Sequence, residues 1–134
     1  MKEELRPSRV DNIAMAVVPE EEENGEQSWK VYFLNLRAEQ LEGLLVRSSG
    51  YGEKEGEQIK TSELRHLIEE VPAHAAVPVE TIVEDVFNLN NQYWVSFWAD
   101  GTLYDRKFVF LSQVIDEKNF SKVPILDKNG VVII

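Results

Sequence analysis

The sequence predicts a mainly β protein: an antiparallel, immunoglobulin-like β-sandwich of about seven strands, folded as one domain over residues 1–134. Three observations carry this expectation. The segment from Tyr93 to Phe110 is an aromatic hairpin closed by Asp100-Gly101. The remaining apolar residues recur in short runs rich in Val, Ile, Leu and Ala. Turn signals such as Asn24-Gly25 and Asn129-Gly130 separate those runs.

The hairpin can be read residue by residue. Asp-Gly between two β-branched and aromatic runs supplies the positive φ angles that a tight two-residue turn requires. Such a turn pairs Ala99 with Thr102, Trp98 with Leu103 and Phe97 with Tyr104. Side chains alternate along a strand, so one face holds Tyr93, Val95, Phe97, Tyr104, Arg106, Phe108 and Phe110. The other holds Trp94, Ser96, Trp98, Leu103, Asp105, Lys107 and Val109. The first set is apolar apart from Arg106 and is expected to face the core. The second mixes two tryptophans with Ser, Asp and Lys, as a half-solvated face would. A three-residue loop would shift the register and mix the sets.

The other elements follow in chain order. Residues 1–9 are expected to form a flexible N-terminus. Asp11 to Val18 reads as a strand ended by Pro19, and Glu20-Glu21-Glu22-Glu23 with Asn24-Gly25 as a loop. Trp29 to Leu36 is a strand by β-propensity. Glu42 to Ser49 is another, carried by Leu44, Leu45 and Val46, and Ser48-Ser49-Gly50-Tyr51-Gly52 reads as a turn. Two readings stay open over residues 61–71. Leu64, Leu67, Ile68 and Val71 have the spacing of a short helix capped by Thr61 or Ser62 and stopped by Pro72. A strand would fit the neighbouring strands equally well. Ala75 to Val86 is extended, and Asn88-Leu89-Asn90-Asn91 leads into the hairpin. Residues 112–128 form an irregular crossing, with Asn129-Gly130 preceding a closing strand, Val131 to Ile134. Tyr93 sits where a tyrosine corner would lie. A small β-barrel, or a sheet with one packed helix, is the alternative architecture.

Composition narrows the function classes. At 43% apolar residues the chain can bury a core, yet no apolar run approaches the roughly 18 residues of a membrane span. The acidic start, Met1-Lys2-Glu3-Glu4-Leu5-Arg6-Pro7, has no apolar signal region, so a cytoplasmic location is expected. Zero cysteines exclude a disulfide framework, a thiolate metal site and a cysteine nucleophile. A net charge of −10 argues against nucleic acid and anionic membranes as partners. The short Glu runs read as solubilising loops.

No residue constellation announces chemistry. His66 and His74 are the only histidines and Pro72 separates them, so neither a metal site nor a cofactor is expected. Gly50-Tyr51-Gly52 lacks the spacing and the Lys-Ser/Thr of a phosphate cradle. Neither Gly-x-Ser-x-Gly nor His-Glu-x-x-His occurs. Asp100 is explained by the turn, and Asp105 by its place opposite Ser96. An enzyme would need a pocket with His66 or paired carboxylates at shifted pKa. No catalytic residue is therefore expected.

Trp94, Trp98 and Leu103 are the candidate binding residues. The two tryptophans share one strand face about 13 Å apart. Either a helix, the tail or a second sheet covers them, or they form an aromatic patch for a protein partner or a second copy. Val131 to Ile134 adds an apolar strand that can pair between chains.

The segments Ile59-Lys60-Thr61-Ser62, Leu64-Arg65-His66, Pro72, Tyr93-Trp94-Val95-Ser96-Phe97, Leu103-Tyr104-Asp105 and Phe108-Val109-Phe110 carry a resemblance. Over residues 10–134 the chain resembles a family of small bacterial proteins of unknown function. Its members are sometimes labelled phenylalanyl-tRNA synthetase subunit-like. The resemblance implies a shared fold and carries over no functional residue. Two function classes follow: a non-catalytic interaction or oligomerisation module, and an accessory to an aminoacyl-tRNA synthetase or RNA. The chain lacks Arg-centred ATP-binding motifs, and its acidity disfavours the second.

Overall fold

In the computed structural model, which describes residues 10–134, Asp100 and Gly101 both take positive φ, 48° and 78°. Ala99 pairs with Thr102, Trp98 with Leu103 and Phe97 with Tyr104, the register of the two-residue turn. The flexible segment expected at residues 1–9 lies outside the described residues.

Ten strands are described rather than about seven. They are β1 (Ile13–Glu21), β2 (Gln27–Asn35), β3 (Leu41–Lys54), β4 (Glu57–Lys60), β5 (Leu64–Val71), β6 (Ala75–Ile82), β7 (Asn90–Ala99), β8 (Thr102–Phe110), β9 (Ser121–Val123) and β10 (Lys128–Ile133). Two short 3-10 turns, Glu84–Asn88 and Glu117–Asn119, interrupt them. One antiparallel sheet runs β6-β2-β1-β10-β9. In the other, β3 pairs with β7 on one side, and β7 with β8. The far side of β3 is shared: β5 covers Leu41–Ser48 and β4 covers Tyr51–Lys54.

That shared edge settles residues 61–71. They contain β5, not a helix, because a helix there would leave the N–H and C=O groups of β3 unpaired over most of its length. The helix-like spacing arises because apolar residues lie on both faces of the strand: Leu67 points outward, while Ile68 and Val71 pack on the core.

Three turn signals also resolve differently. Ser48 to Gly52 continues β3, and the reversal falls on Glu55-Gly56, with φ of 52° and 80°. Asn129 and Gly130 lie inside β10, and the preceding reversal uses Ile125 and Asp127 at positive φ. Gly130 is required there by close approach: a Cβ would come within 2.5 Å of the Val17 carbonyl oxygen. Pro19 falls within β1, beyond the stretch Met15–Val17 that β10 covers, where the strand is an edge and tolerates proline.

The inner faces of the two sheets share one core. Ile13, Met15, Val17, Val31 and Phe33 meet Leu44, Val46, Val95, Phe97, Phe108 and Phe110 there. Each such large side chain contributes roughly 1.5–3 kcal/mol by leaving water. The first hairpin set thus faces inward as expected. Its discordant Arg106 lays its guanidinium over the Phe108 ring at 4.3 Å, and Tyr104 stacks on Phe97 at 5.7 Å. Fully buried Asn35 ties down the crossing from β2 to β3. Its amide donates to the Glu39 and Pro72 carbonyls, both at 2.9 Å, and its oxygen accepts from the Arg37 N–H. Among the described residues no helix is long and apolar enough to cross a membrane.

Candidate functional site

Strand alternation and register lay out the outer face of the β5-β3-β7-β8 sheet in rows. Arg65, Arg47, Trp94 and Lys107 are successive cross-strand neighbours. The adjoining row is Leu67, Leu45, Ser96 and Asp105. Beyond it, Trp98 stands opposite Leu103. Trp98 and Leu103 are each 49% exposed and Leu67 is 69% exposed. This is the half-solvated set expected from the hairpin, now joined by residues of β3 and β5.

The two tryptophans differ in setting. Trp94 is half-buried between cations, with Arg47 and Lys107 each 5.6 Å from its ring centre. Cation–π attraction and the aliphatic stems of those side chains explain its cover. Arg47 and Arg65 directly oppose one another, a repulsive arrangement. Glu63 offsets it, 3.0 Å from Arg65 and 3.9 Å from Arg47. Trp98 instead lies over a bulge. The register of β3 against β7 slips between Glu42 and Leu45, and Gly43 takes φ of +60° there. A Cβ on Gly43 would sit 3.4 Å from Trp98 Cδ1, so the ring rests on bare backbone.

A second grouping joins the two sheets from within. The register of β2 against β6 slips between Val31 and Tyr32, leaving Glu80 opposite the core residue Val31. Its carboxylate is 10% exposed and takes donors from three strands of the other sheet. Ser48 Oγ donates to Oε1 at 2.8 Å, and Tyr93 OH donates to Oε2 at 3.0 Å. His66 Nε2 lies 2.8 Å from Oε1. A carboxylate offers only acceptors, so His66 carries its hydrogen on Nε2. Burial first, and then the charge of Glu80, push the Tyr93 hydroxyl well above its ordinary value. Tyr93 is thereby held as a donor. Its hydroxyl goes to a side chain and not to upstream backbone, which corrects the tyrosine-corner expectation.

The Ser48 hydroxyl donates to Glu80, and His66 meets the same carboxylate oxygen instead of the Ser48 hydroxyl. Among the described residues, no three His, Asp or Glu side chains converge as a metal site. His74 lies apart, in the loop before β6 at φ of 50°.

Of the sequence-predicted site residues, the structure brings Trp98 and Leu103 together and sets Trp94 further along the same face. Sequence reasoning missed Leu67, Arg47 and Arg65 as members. Their rows became visible only once residues 64–71 were a strand paired to β3. Comparison with protein-family models, curated proteins and solved structures gave no match.

Proposed function

We propose that this chain is a non-catalytic β module that binds a partner protein through the outer face of its second sheet. The observation that carries this is the Trp98–Leu103 pair, two large apolar side chains left half exposed side by side on one sheet face. Aromatic anchors of this kind dominate binding energy where they become desolvated. The partner segment is acidic with an apolar anchor. Arg47, Arg65 and Lys107 line the same face of a chain whose net charge is −10. A second copy docked symmetrically would set that cationic row near itself, which disfavours self-association at this face.

The immunoglobulin-like plan belongs to the same reading. It is supported by the strand order: β1, β2 and β6 hold the places of strands A, B and E, and β3, β7 and β8 those of C, F and G. The resemblance to small bacterial proteins of unknown function stands beside it as a proposal.

Fluorescence anisotropy tests the function. A labelled peptide alternating Glu and Leu should bind saturably, and its Lys-for-Glu counterpart should not. Trp98→Ala and Leu103→Ser should each weaken binding by about tenfold or more. Equal binding of both peptides, or none, overturns the proposal. Tighter, salt-sensitive binding of a single-stranded RNA would favour the RNA-accessory reading instead.

A further inference from the structure

We infer that the cavity between the middle of β3, the end of β6 and the start of β7 is a binding site for a primary-amine ligand with an apolar tail, its ammonium group received by Glu80. Its volume is about 340 Å³, within the range of small-molecule sites. The site is separate from the outer face and independent of the function proposed for it.

The walls and the acceptors specify different halves of the ligand. Leu64, Ile82, Val83 and Val86 make much of the wall apolar, and among the described residues no Lys or Arg lines it. The polar lining residues include Glu80 and Asn91. Three donors occupy three of the roughly four lone-pair positions of a carboxylate, leaving capacity on Oε2, whose one donor is Tyr93. Asn91 Nδ2 donates to the Val86 and Leu89 carbonyls, at 2.9 and 3.1 Å, which fixes the amide and leaves Oδ1 as an acceptor. A Cβ at Gly50 would make ordinary contact with that oxygen, at 3.6 Å, and would press more closely on Leu89 and Thr61, each at 3.3 Å.

An ammonium group fits this arrangement and other groups do not. It brings three donors and no acceptor. Its hydrogen bond to a carboxylate is charge-assisted and gains strength in apolar surroundings. A phosphate or carboxylate ligand would meet Glu80 with no Lys or Arg of the described residues on the lining to offset it. A neutral hydrocarbon would engage neither the remaining lone pair of Glu80 Oε2 nor Asn91 Oδ1. Val83, 61% exposed, borders the cavity and gives a position for blocking it.

Titration of the 15N-labelled protein with hexylammonium and, separately, 1-hexanol tests the site. Hexylammonium should shift the amides of Gly50, Thr81 and Asn91 and bind about tenfold tighter than the alcohol. Glu80→Gln should abolish that preference, and Val83→Trp should weaken both ligands. A single lysine within an alanine peptide, run alongside, separates a free amine from a protein side chain as the source. Equal affinity for amine and alcohol, or absence of shifts around the cavity, overturns the inference. Should Glu80→Gln fail to fold, Val83→Trp decides, and unchanged amine binding in that variant overturns it too.

Discussion

Trp98 and Leu103 face each other across the last rung but one before the Asp100-Gly101 turn, both on the solvent side of a sheet whose other side buries Phe97, Phe108 and Phe110. Phe97, one residue earlier, is wholly buried. One register therefore separates residues that hold the fold from residues available for binding.

That separation predicts opposite mutational costs. Leu103→Ser should change stability by less than about 0.5 kcal/mol, as surface substitutions do. Phe97→Ala should cost about 3–5 kcal/mol, since it opens a cavity between the sheets. Urea unfolding of the two variants checks the assignment, and comparable losses would refute it.

Gly130→Ala should destabilise by about 1–3 kcal/mol, because the new Cβ meets backbone that cannot rotate away. Gly25→Ala serves as the contrast. Among the described residues nothing lies within 4 Å of its Cβ position, and its φ of +85° leaves only conformational strain, about 1 kcal/mol. Thermal denaturation should rank Gly130→Ala as the more damaging.

Glu80→Ala should cost about 3 kcal/mol, more than Ser48→Ala at about 1 kcal/mol. The first strands the buried Tyr93 and Ser48 hydroxyls together, and the second removes one donor from a carboxylate that keeps two others. Chemical denaturation of both variants measures the difference.

Tyr93 gives the molecule an alkaline limit. Burial and Glu80 hold its hydroxyl well above the ordinary value of 10.0. Above that value the unfolded chain loses a proton that the folded chain keeps, so stability falls with rising pH. The contribution is whole below about pH 10 and is lost as pH climbs from there towards the folded value. Tyr93→Phe should flatten this limb while costing about 1 kcal/mol at neutral pH for the lost hydrogen bond. Stability curves of wild type and variant between neutral and strongly alkaline pH show whether the limb belongs to Tyr93.

The hairpin was legible in the sequence because everything that sets it is local: two turn residues and strict alternation on either side. Trp94, Trp98 and Leu103 could be placed on one face for that reason. Residues 64–71 were not legible, because Leu64 and Leu67 are apolar, exposed and on opposite faces of the strand, which erases the alternation of β5 and imitates a helix. Glu80 carried no sign at all. Its partners lie 13 to 32 residues away on three other strands, and a bulge invisible to periodicity sets it opposite Val31. Gly43 and Gly130 look like any strand glycines until their neighbours are in place.

The claim that the outer face of the second sheet binds an acidic, apolar-anchored partner is tested most directly at the Trp98 indole N–H. In a titration with the Glu-Leu peptide that resonance should move saturably, together with the Leu67 and Leu103 amides, and should lose the response in Leu103→Ser. A Trp98 resonance that stays fixed while the peptide binds elsewhere would contradict the account.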